Sequence, residues 1–124
     1  MPKKKKILIV EDDQIISSMY KTKLEADSFE VLIADNGADG LKLAKEQMPG
    51  IVMLDIILPQ LDGFSVLEAL KKNQATKNIP VVMLTNLGTD EDKVKGKKLG
   101  AVDYLVKANL TPTQIEEKIK QYLK

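Results

Sequence analysis

Five side chains that could do chemistry together each stand directly after a run of apolar residues. They are two neighbouring acids, a third carboxylate, a hydroxyl and an ammonium group: Glu11, Asp12, Asp55, Thr85 and Lys107. Carboxylates that converge within a few ångströms repel one another, so something positive should sit among them. Hard oxygen ligands without histidine or cysteine select Mg²⁺ or a similar ion such as Mn²⁺, and Mg²⁺ also binds phosphate oxygens. The set therefore indicates metal-dependent phosphate chemistry.

The amino acids that are absent narrow this chemistry further. The 124 residues contain no histidine and no cysteine, and every basic residue is a lysine. Serine–histidine and cysteine–histidine nucleophile pairs are therefore excluded, as are disulfides and thiolate or imidazole metal sites. Without arginine, no guanidinium fork can hold a phosphate by two parallel hydrogen bonds. Any phosphohistidine chemistry would have to reside on a partner.

Short apolar runs are the elements that must position these side chains. The runs are 7–10, 31–34, 51–54, 81–84 and 104–106. Most are continuous rather than alternating, and they are rich in valine, isoleucine and leucine. This pattern is typical of strands that are buried on both faces of a parallel sheet.

The longer stretches between the runs predict five helices, because apolar residues recur in them at three- and four-residue steps. The predicted helices are 14–26, 38–47, 63–72, about 90–99 and 112–123. The first carries two apolar rows, Ile15 with Met19 and Ile16 with Tyr20 and Leu24.

The fourth helix is the weakest of the five. Val94 and Leu99 form no clean stripe, and Gly96 inside the helix costs ~1 kcal/mol relative to alanine. Thr89 followed by Asp92 is an acceptable capping box. We expect this helix to form and to be the least firmly held.

Strict alternation of strand and helix predicts an α/β fold in which a parallel sheet has helices on both faces and right-handed crossovers. Ligands of such sheets bind beyond the carboxyl ends of the strands. If strands one and three are neighbours, Glu11, Asp12 and Asp55 converge at that edge. Thr85 and Lys107 lie at the ends of strands four and five.

Composition predicts one domain over residues 1–124, with residues 1–6 as a solvated basic arm. The formal net charge of +1 is too balanced to argue for direct binding of nucleic acid. No apolar run is long enough to span a bilayer, and none has the form of a signal peptide. We expect no membrane contact and a cytoplasmic location.

Four segments that end at or contain these side chains are ILIVEDD (7–13), MLDIILPQLDGF (53–64), VVMLTN (81–86) and DYLVK (103–107). In register, they resemble the receiver domains of two-component response regulators, in particular the small chemotaxis-regulator type. Their order and spacing agree with the family over essentially the whole chain. The resemblance implies a flavodoxin-like three-layer sandwich, with five strands in the order 2-1-3-4-5 and five helices.

The resemblance also implies roles for individual residues. Asp55 would be the nucleophile that becomes an acyl phosphate, and as an anion it needs no general base. Glu11 and Asp12 would be the acidic pair that holds Mg²⁺, with Asp12 the more direct ligand. The backbone carbonyl of Ile57 would be a further metal ligand.

Three more residues take roles by the same resemblance. Thr85 would donate its hydroxyl to one phosphoryl oxygen, and Lys107 would pair with another. Tyr104 has two possible roles. It packs in the core, or it is a switch whose ring turns inward when Thr85 is recruited to the phosphoryl group. We favour the switch.

The implied function is that of a phosphoacceptor. A sensor histidine kinase or a histidine phosphotransfer protein would supply the phosphoryl group, and an output protein or domain would bind the face formed by the fourth helix, fifth strand and fifth helix. The chain would not turn over external substrates. The alternatives are an interaction module that is never phosphorylated and a Mg²⁺-dependent phosphohydrolase. Whether the chain is free-standing or a piece of a longer regulator stays open.

Several residues depart from the family's pattern. Ala108 follows Lys107 where the family usually has proline in a cis peptide, so we predict a trans bond. Asn86 stands where a small residue is usual, and it could crowd the phosphoryl group or donate a hydrogen bond to it. Ile57 and Leu87 are an apolar pair that should not orient an attacking water, which predicts slow self-dephosphorylation.

Overall fold

The computed structural model describes residues 4–86 and 88–123 and contains five strands alternating with five helices. The strands are β1 (Lys6–Val10), β2 (Glu30–Ala34), β3 (Ile51–Asp55), β4 (Val81–Thr85) and β5 (Asp103–Val106). The helices are α1 (Gln14–Ala26), α2 (Gly37–Gln47), α3 (Gly63–Lys72), α4 (Asp90–Lys98) and α5 (Pro112–Tyr122). A single 3₁₀ turn, Lys107–Asn109, follows β5.

All five strands are parallel and lie in the order β2-β1-β3-β4-β5, which confirms the predicted fold. Successive residues of β1 enter opposite cores: Ile7 and Ile9 pack under α1 and α5, whereas Leu8 and Val10 pack under α2 and α3. Helices on both faces explain why the strand sequences are continuously apolar. None of the helices in the described ranges has the length and apolar character that crossing a membrane requires.

Most predicted boundaries lie within one residue of those in the structure, and the small differences concern the site. Asp55 and Thr85 are the last residues of β3 and β4 rather than the first residues beyond them. Lys6, which the sequence places in the basic arm, is the first residue of β1 and pairs with Glu30. Residues 1–3 of the arm lie outside the described residues.

Only one of the two apolar rows of α1 is part of the core. Tyr20 and Leu24 are buried, with Ile16 packed against the same cluster. Ile15 is 83% exposed and Met19 is 44% exposed, because the sheet and α5 cover a single side of the helix. The sequence could not distinguish these rows, since both have helical spacing.

Helix α4 is anchored weakly, as its sequence indicates. Among its residues only Gly96 is buried, and Val94 is exposed. The Thr89 hydroxyl accepts a hydrogen bond from the backbone N–H of Asp92 (3.2 Å) and caps the helix. An added Cβ at Gly96 would lie 3.5 Å from the Tyr104 ring, which is ordinary van der Waals contact.

We expect Gly96→Ala to raise the free energy of unfolding by up to ~1 kcal/mol, because alanine favours the helix and its methyl group fits. Urea denaturation of the wild type and the variant measures the change. Gly40→Ala, in α2, is the matched comparison: its Cβ would lie 2.8 Å from both methyl carbons of Val10, so it should destabilise by about 1 kcal/mol. A loss of stability in Gly96→Ala would contradict the packing described for α4.

An acid pair joins α5 to the end of α1. Glu116 is only 7% exposed, and its carboxyl group forms a side-chain hydrogen bond with Asp27, which also accepts one from Lys120 (2.9 Å). Burial raises the pKa of Glu116, and the Asp27 carboxylate raises it further, against the opposing charges of Lys120 and Lys23. The hydrogen bonds from Glu116 and Lys120 lower the pKa of Asp27. Of the two carboxyl groups, Glu116 is therefore the one that releases its proton at the higher pH.

The shifted Glu116 predicts a pH-dependent stability. Because its folded pKa lies above the usual 4.5, the folded state binds more protons than the unfolded state, and stability falls as pH rises from that value through the raised one. Asp27 acts oppositely and only at lower pH. Glu116→Gln can still donate a hydrogen bond without a charge, so its unfolding free energy relative to the wild type should rise between about pH 5 and about pH 8.

Urea denaturation at both pH values measures this difference. Glu117→Gln, on the exposed side of the same helix, is the control for net charge. Equal pH dependence of the wild type and Glu116→Gln would show that Glu116 is not the titrating group.

Candidate functional site

The predicted side chains meet at the carboxyl edge of the sheet. Glu11 directly follows β1, and its backbone N–H bonds the carbonyl of Ala34 at the end of β2 (3.0 Å). Asp55 ends β3, Thr85 ends β4, and Lys107 begins the 3₁₀ turn after β5. Together they line a pocket of about 260 Å³, whose residues are Glu11, Asp12, Asp13, Ile16, Asp55, Ile57, Thr85, Asn86 and Lys107.

Three carboxylates converge in this pocket. Glu11, Asp12 and Asp55 each offer an oxygen atom, and these atoms lie within 4.8 Å of one another. Glu11 is buried, Asp55 is 9% exposed and Asp12 is exposed, so the cluster opens to solvent on one side. An all-oxygen donor set with an open side fits Mg²⁺, which keeps part of its water shell.

Lys107 supplies the positive charge of the pocket. Its ammonium group donates to Oε1 of Glu11 and to Oδ2 of Asp55 (3.1 Å), and its side chain is buried. Burial alone would lower the pKa of Lys107, but Glu11 and Asp55 outweigh it, so the pKa is raised and the lysine stays charged. One ammonium group faces three carboxylates, so the pocket remains short of positive charge.

The pKa of Glu11 is raised in this pocket. Burial raises the pKa of Glu11 to about 7, although Lys107 donates a hydrogen bond to it, and the charge of Asp55 adds to the rise. The backbone N–H of Asp13 donates to the other oxygen of Glu11 (3.2 Å). A proton or an added cation would each reduce the crowding of negative charge in the cluster.

The bond after Lys107 is trans, as predicted, since the described residues contain no cis peptide. With this trans bond, Lys107 begins the 3₁₀ turn and its side chain reaches Glu11 and Asp55. Asp13, next to the acidic pair, has a different task. Its Oδ1 accepts from the N–H groups of Ile15 (2.9 Å) and Ile16 (3.2 Å) and caps α1.

Thr85 and Tyr104 are already in contact. Thr85 is buried, Tyr104 is half-buried, and their side chains share a hydrogen bond. Burial raises the pKa of Tyr104, and the charge of Asp92 in α4 adds to this effect. The phenol therefore lies between the pocket and α4, where either core packing or a switch would place it.

The rim of the pocket is partly apolar. Ile57, which is 68% exposed, and Asn86, which is also exposed, both line the pocket. Leu87, the predicted apolar partner of Ile57, lies outside the described residues. Sequence patterns missed two features here: the contribution of Ile16 to the lining and the direct bond from Lys107 to Glu11. The second joins residues 96 positions apart and leaves no local signal.

Comparison with known proteins identifies the family. The model of the response regulator receiver domain matches residues 7–120. The DNA-binding dual master transcriptional regulator RpaA of Synechocystis is 42% identical over 112 residues, which cover 90% of this chain and 45% of RpaA. Protein PilH of Pseudomonas aeruginosa is 43% identical over 104 residues, covering 82% of this chain and 84% of PilH.

A solved structure supports the same family. The chemotaxis protein CheY4 of Vibrio cholerae superposes with a TM-score of 0.90 at 28% identity, covering 97% of this chain and 99% of that one. The chain spans about half the length of the transcriptional regulators it resembles and most of the length of PilH. From its matched sequence, its strand order and its acidic pocket, the chain belongs to the family of response regulator receiver domains, which act in two-component signalling.

Proposed function

We propose that this receiver domain accepts a phosphoryl group on Asp55 from a histidine kinase or a histidine phosphotransfer protein, in a Mg²⁺-dependent reaction. The observation that carries the proposal is the meeting of Asp55 with Lys107, Glu11 and Asp12 in one open pocket. The chain catalyses its own modification and does not turn over external substrates.

The chemistry requires positioning more than covalent catalysis. An oxygen of Asp55 forms the new P–O bond while the P–N bond of the donor phosphohistidine breaks and the imidazole leaves. Lys107, held beside Asp55 by Glu11, pairs with a phosphoryl oxygen and offsets the charge that gathers there.

The proposed metal ligands are Glu11, Asp12, Asp55 and the carbonyl of Ile57. When bound, Mg²⁺ (or Mn²⁺) supplies further neutralisation of the phosphoryl oxygens. The raised pKa of Glu11 comes from its burial and from the nearby charge of Asp55. A bound cation would offset the negative charge around Glu11.

The signal passes through Thr85 and Tyr104. When the Thr85 hydroxyl turns to a phosphoryl oxygen, its hydrogen bond with Tyr104 is lost and the ring is free to repack. Gly96 of α4 lies against that ring, and α4 buries little else. A weakly anchored helix next to the ring suits a shift between two packings of the α4–β5–α5 face, which an output protein or domain would bind.

The remaining expectations concern partners and location. RpaA is described as DNA-binding, but the matched segment is 45% of that protein. The formal net charge of +1 supports a domain that makes no direct contact with nucleic acid or membrane. We propose a cytoplasmic location, where such kinases present their phosphohistidine.

Incubation with a small phosphodonor and Mg²⁺ should add the mass of one phosphoryl group to the protein, because Asp55 and its charge partners are assembled in the described pocket. Intact mass spectrometry measures the gain. Asp55→Asn should show none, and chelation of the metal should prevent the gain in the wild type. An unchanged mass of the wild type with metal present would favour an interaction module that is never phosphorylated.

The lifetime of the acyl phosphate is expected to be long. Ile57 is 68% exposed at the pocket and has no group that could orient a water. Replacing both apolar residues, as Ile57→Asn with Leu87→Glu, should speed decay by roughly tenfold, since a polar side chain can position the water. The decay of the phosphorylated mass with time measures this rate. Ile57→Val is the control, and equal rates in all three proteins would refute slow decay by apolar shielding.

A further inference from the structure

The segment between β3 and α3, residues 56–62, carries the proposed carbonyl ligand of Ile57 and belongs to no helix or strand. We call it the β3–α3 loop. Backbone hydrogen bonds hold it at two points. The N–H of Gly37, at the start of α2, bonds the carbonyl of Pro59 (3.2 Å), and the N–H of Gly63 bonds the carbonyl of Ile56 (2.8 Å).

Gly37 permits an unusually close approach between α2 and this loop. A Cβ built on Gly37 would lie 1.7 Å from the carbonyl oxygen of Leu61 and 2.6 Å from its carbon. Both atoms are backbone, so a side chain could be admitted only if the loop moved. Only glycine at position 37 leaves room for the backbone of Leu61 at this distance.

The other end of the loop is equally tight. A Cβ on Gly63 would lie 2.0 Å from the carbonyl oxygen of Asp55. Between the two glycines, Gln60 has a φ of 68°, a left-handed conformation that residues with a side chain rarely adopt. Such a conformation persists where the surroundings over-determine it. The loop is therefore held in one shape from both sides.

We propose that Gly37 is a positioning residue for the metal site. It lies on the β2–α2 side of the sheet, which supplies no ligand, and it sets how closely the β3–α3 loop approaches α2. That approach fixes the place of the Ile57 carbonyl relative to Asp55 and Asp12. The inference rests on the proposed function, because it assigns Gly37 a task only if the pocket binds Mg²⁺.

The test compares the wild type with Gly37→Ala and Gly40→Ala. Gly37→Ala should raise the Kd for Mg²⁺ by about tenfold, as expected when a group that orients a metal ligand is displaced. Gly40 is also tightly packed in α2, but its neighbour is Val10 in β1 rather than the loop. Gly40→Ala should therefore lose stability and keep the wild-type Kd. Isothermal titration with MgCl₂ measures Kd directly.

Phosphorylation by a small phosphodonor, followed against Mg²⁺ concentration, provides a second measurement. Gly37→Ala should need more Mg²⁺ for half of its maximal rate and should keep that maximal rate within about twofold, because Asp55 and Lys107 are held by β3 and by the turn after β5. A general structural defect would lower the maximal rate as well. An unchanged Kd in folded Gly37→Ala would overturn the proposal.

Leu61→Ala is the second variant, in case Gly37→Ala does not fold. It removes a half-buried side chain that packs the loop on the core of α2 and α3, and it introduces no clash. A looser loop should weaken Mg²⁺ binding several-fold, and an unchanged Kd would overturn the role of the loop. A wild type that binds no Mg²⁺ and gains no phosphoryl group would instead refute the proposed function.

Discussion

The ammonium group of Lys107, between the carboxylates of Glu11 and Asp55, is the interaction on which the pocket depends. It joins the ends of β1, β3 and β5 at one edge. Burying ionised groups is costly unless they are paired, and here one positive charge meets two buried acids with a third beside them. Burial, with a smaller contribution from the charge of Asp55, raises the pKa of Glu11, and the residual negative charge of the three carboxylates fits the pocket to a divalent cation.

The two sides of this pocket are packed to different degrees. Asp55 and Thr85 end central strands whose residues are all buried, so both side chains are anchored by the two cores. Tyr104 lies beyond them, in contact with Thr85 and with Gly96 of the weakly anchored α4. Elements that move in signalling are drawn from the less stable parts of a fold. The hydrogen bond between Thr85 and Tyr104 connects the buried end of β4 to the ring beside α4.

Close contacts between backbone segments also determine the shape of the structure near the pocket. Gly37 and Gly63 let the β3–α3 loop lie directly against α2 and the end of β3, and no larger residue fits at either place. On the far side, Asp27 joins the end of α1 to α5 through an ion pair with Lys120 and through its interaction with the buried Glu116. Both features are contacts between different elements of the fold. The sequence shows each of them only as a glycine or an acidic residue.

The sequence by itself determined the fold and the side chains that meet in the pocket. Continuous apolar runs indicated buried parallel strands, and the side chains after them met at one edge because parallel strands end together. Tertiary structure alone decided which row of α1 is buried, leaving Ile15 exposed, and that Lys107 bonds Glu11 as well as Asp55. It also decided that Gly37 lies directly against the β3–α3 loop. Periodicity reports the environment of a residue along its own element, whereas these contacts depend on the distance between elements, which packing sets.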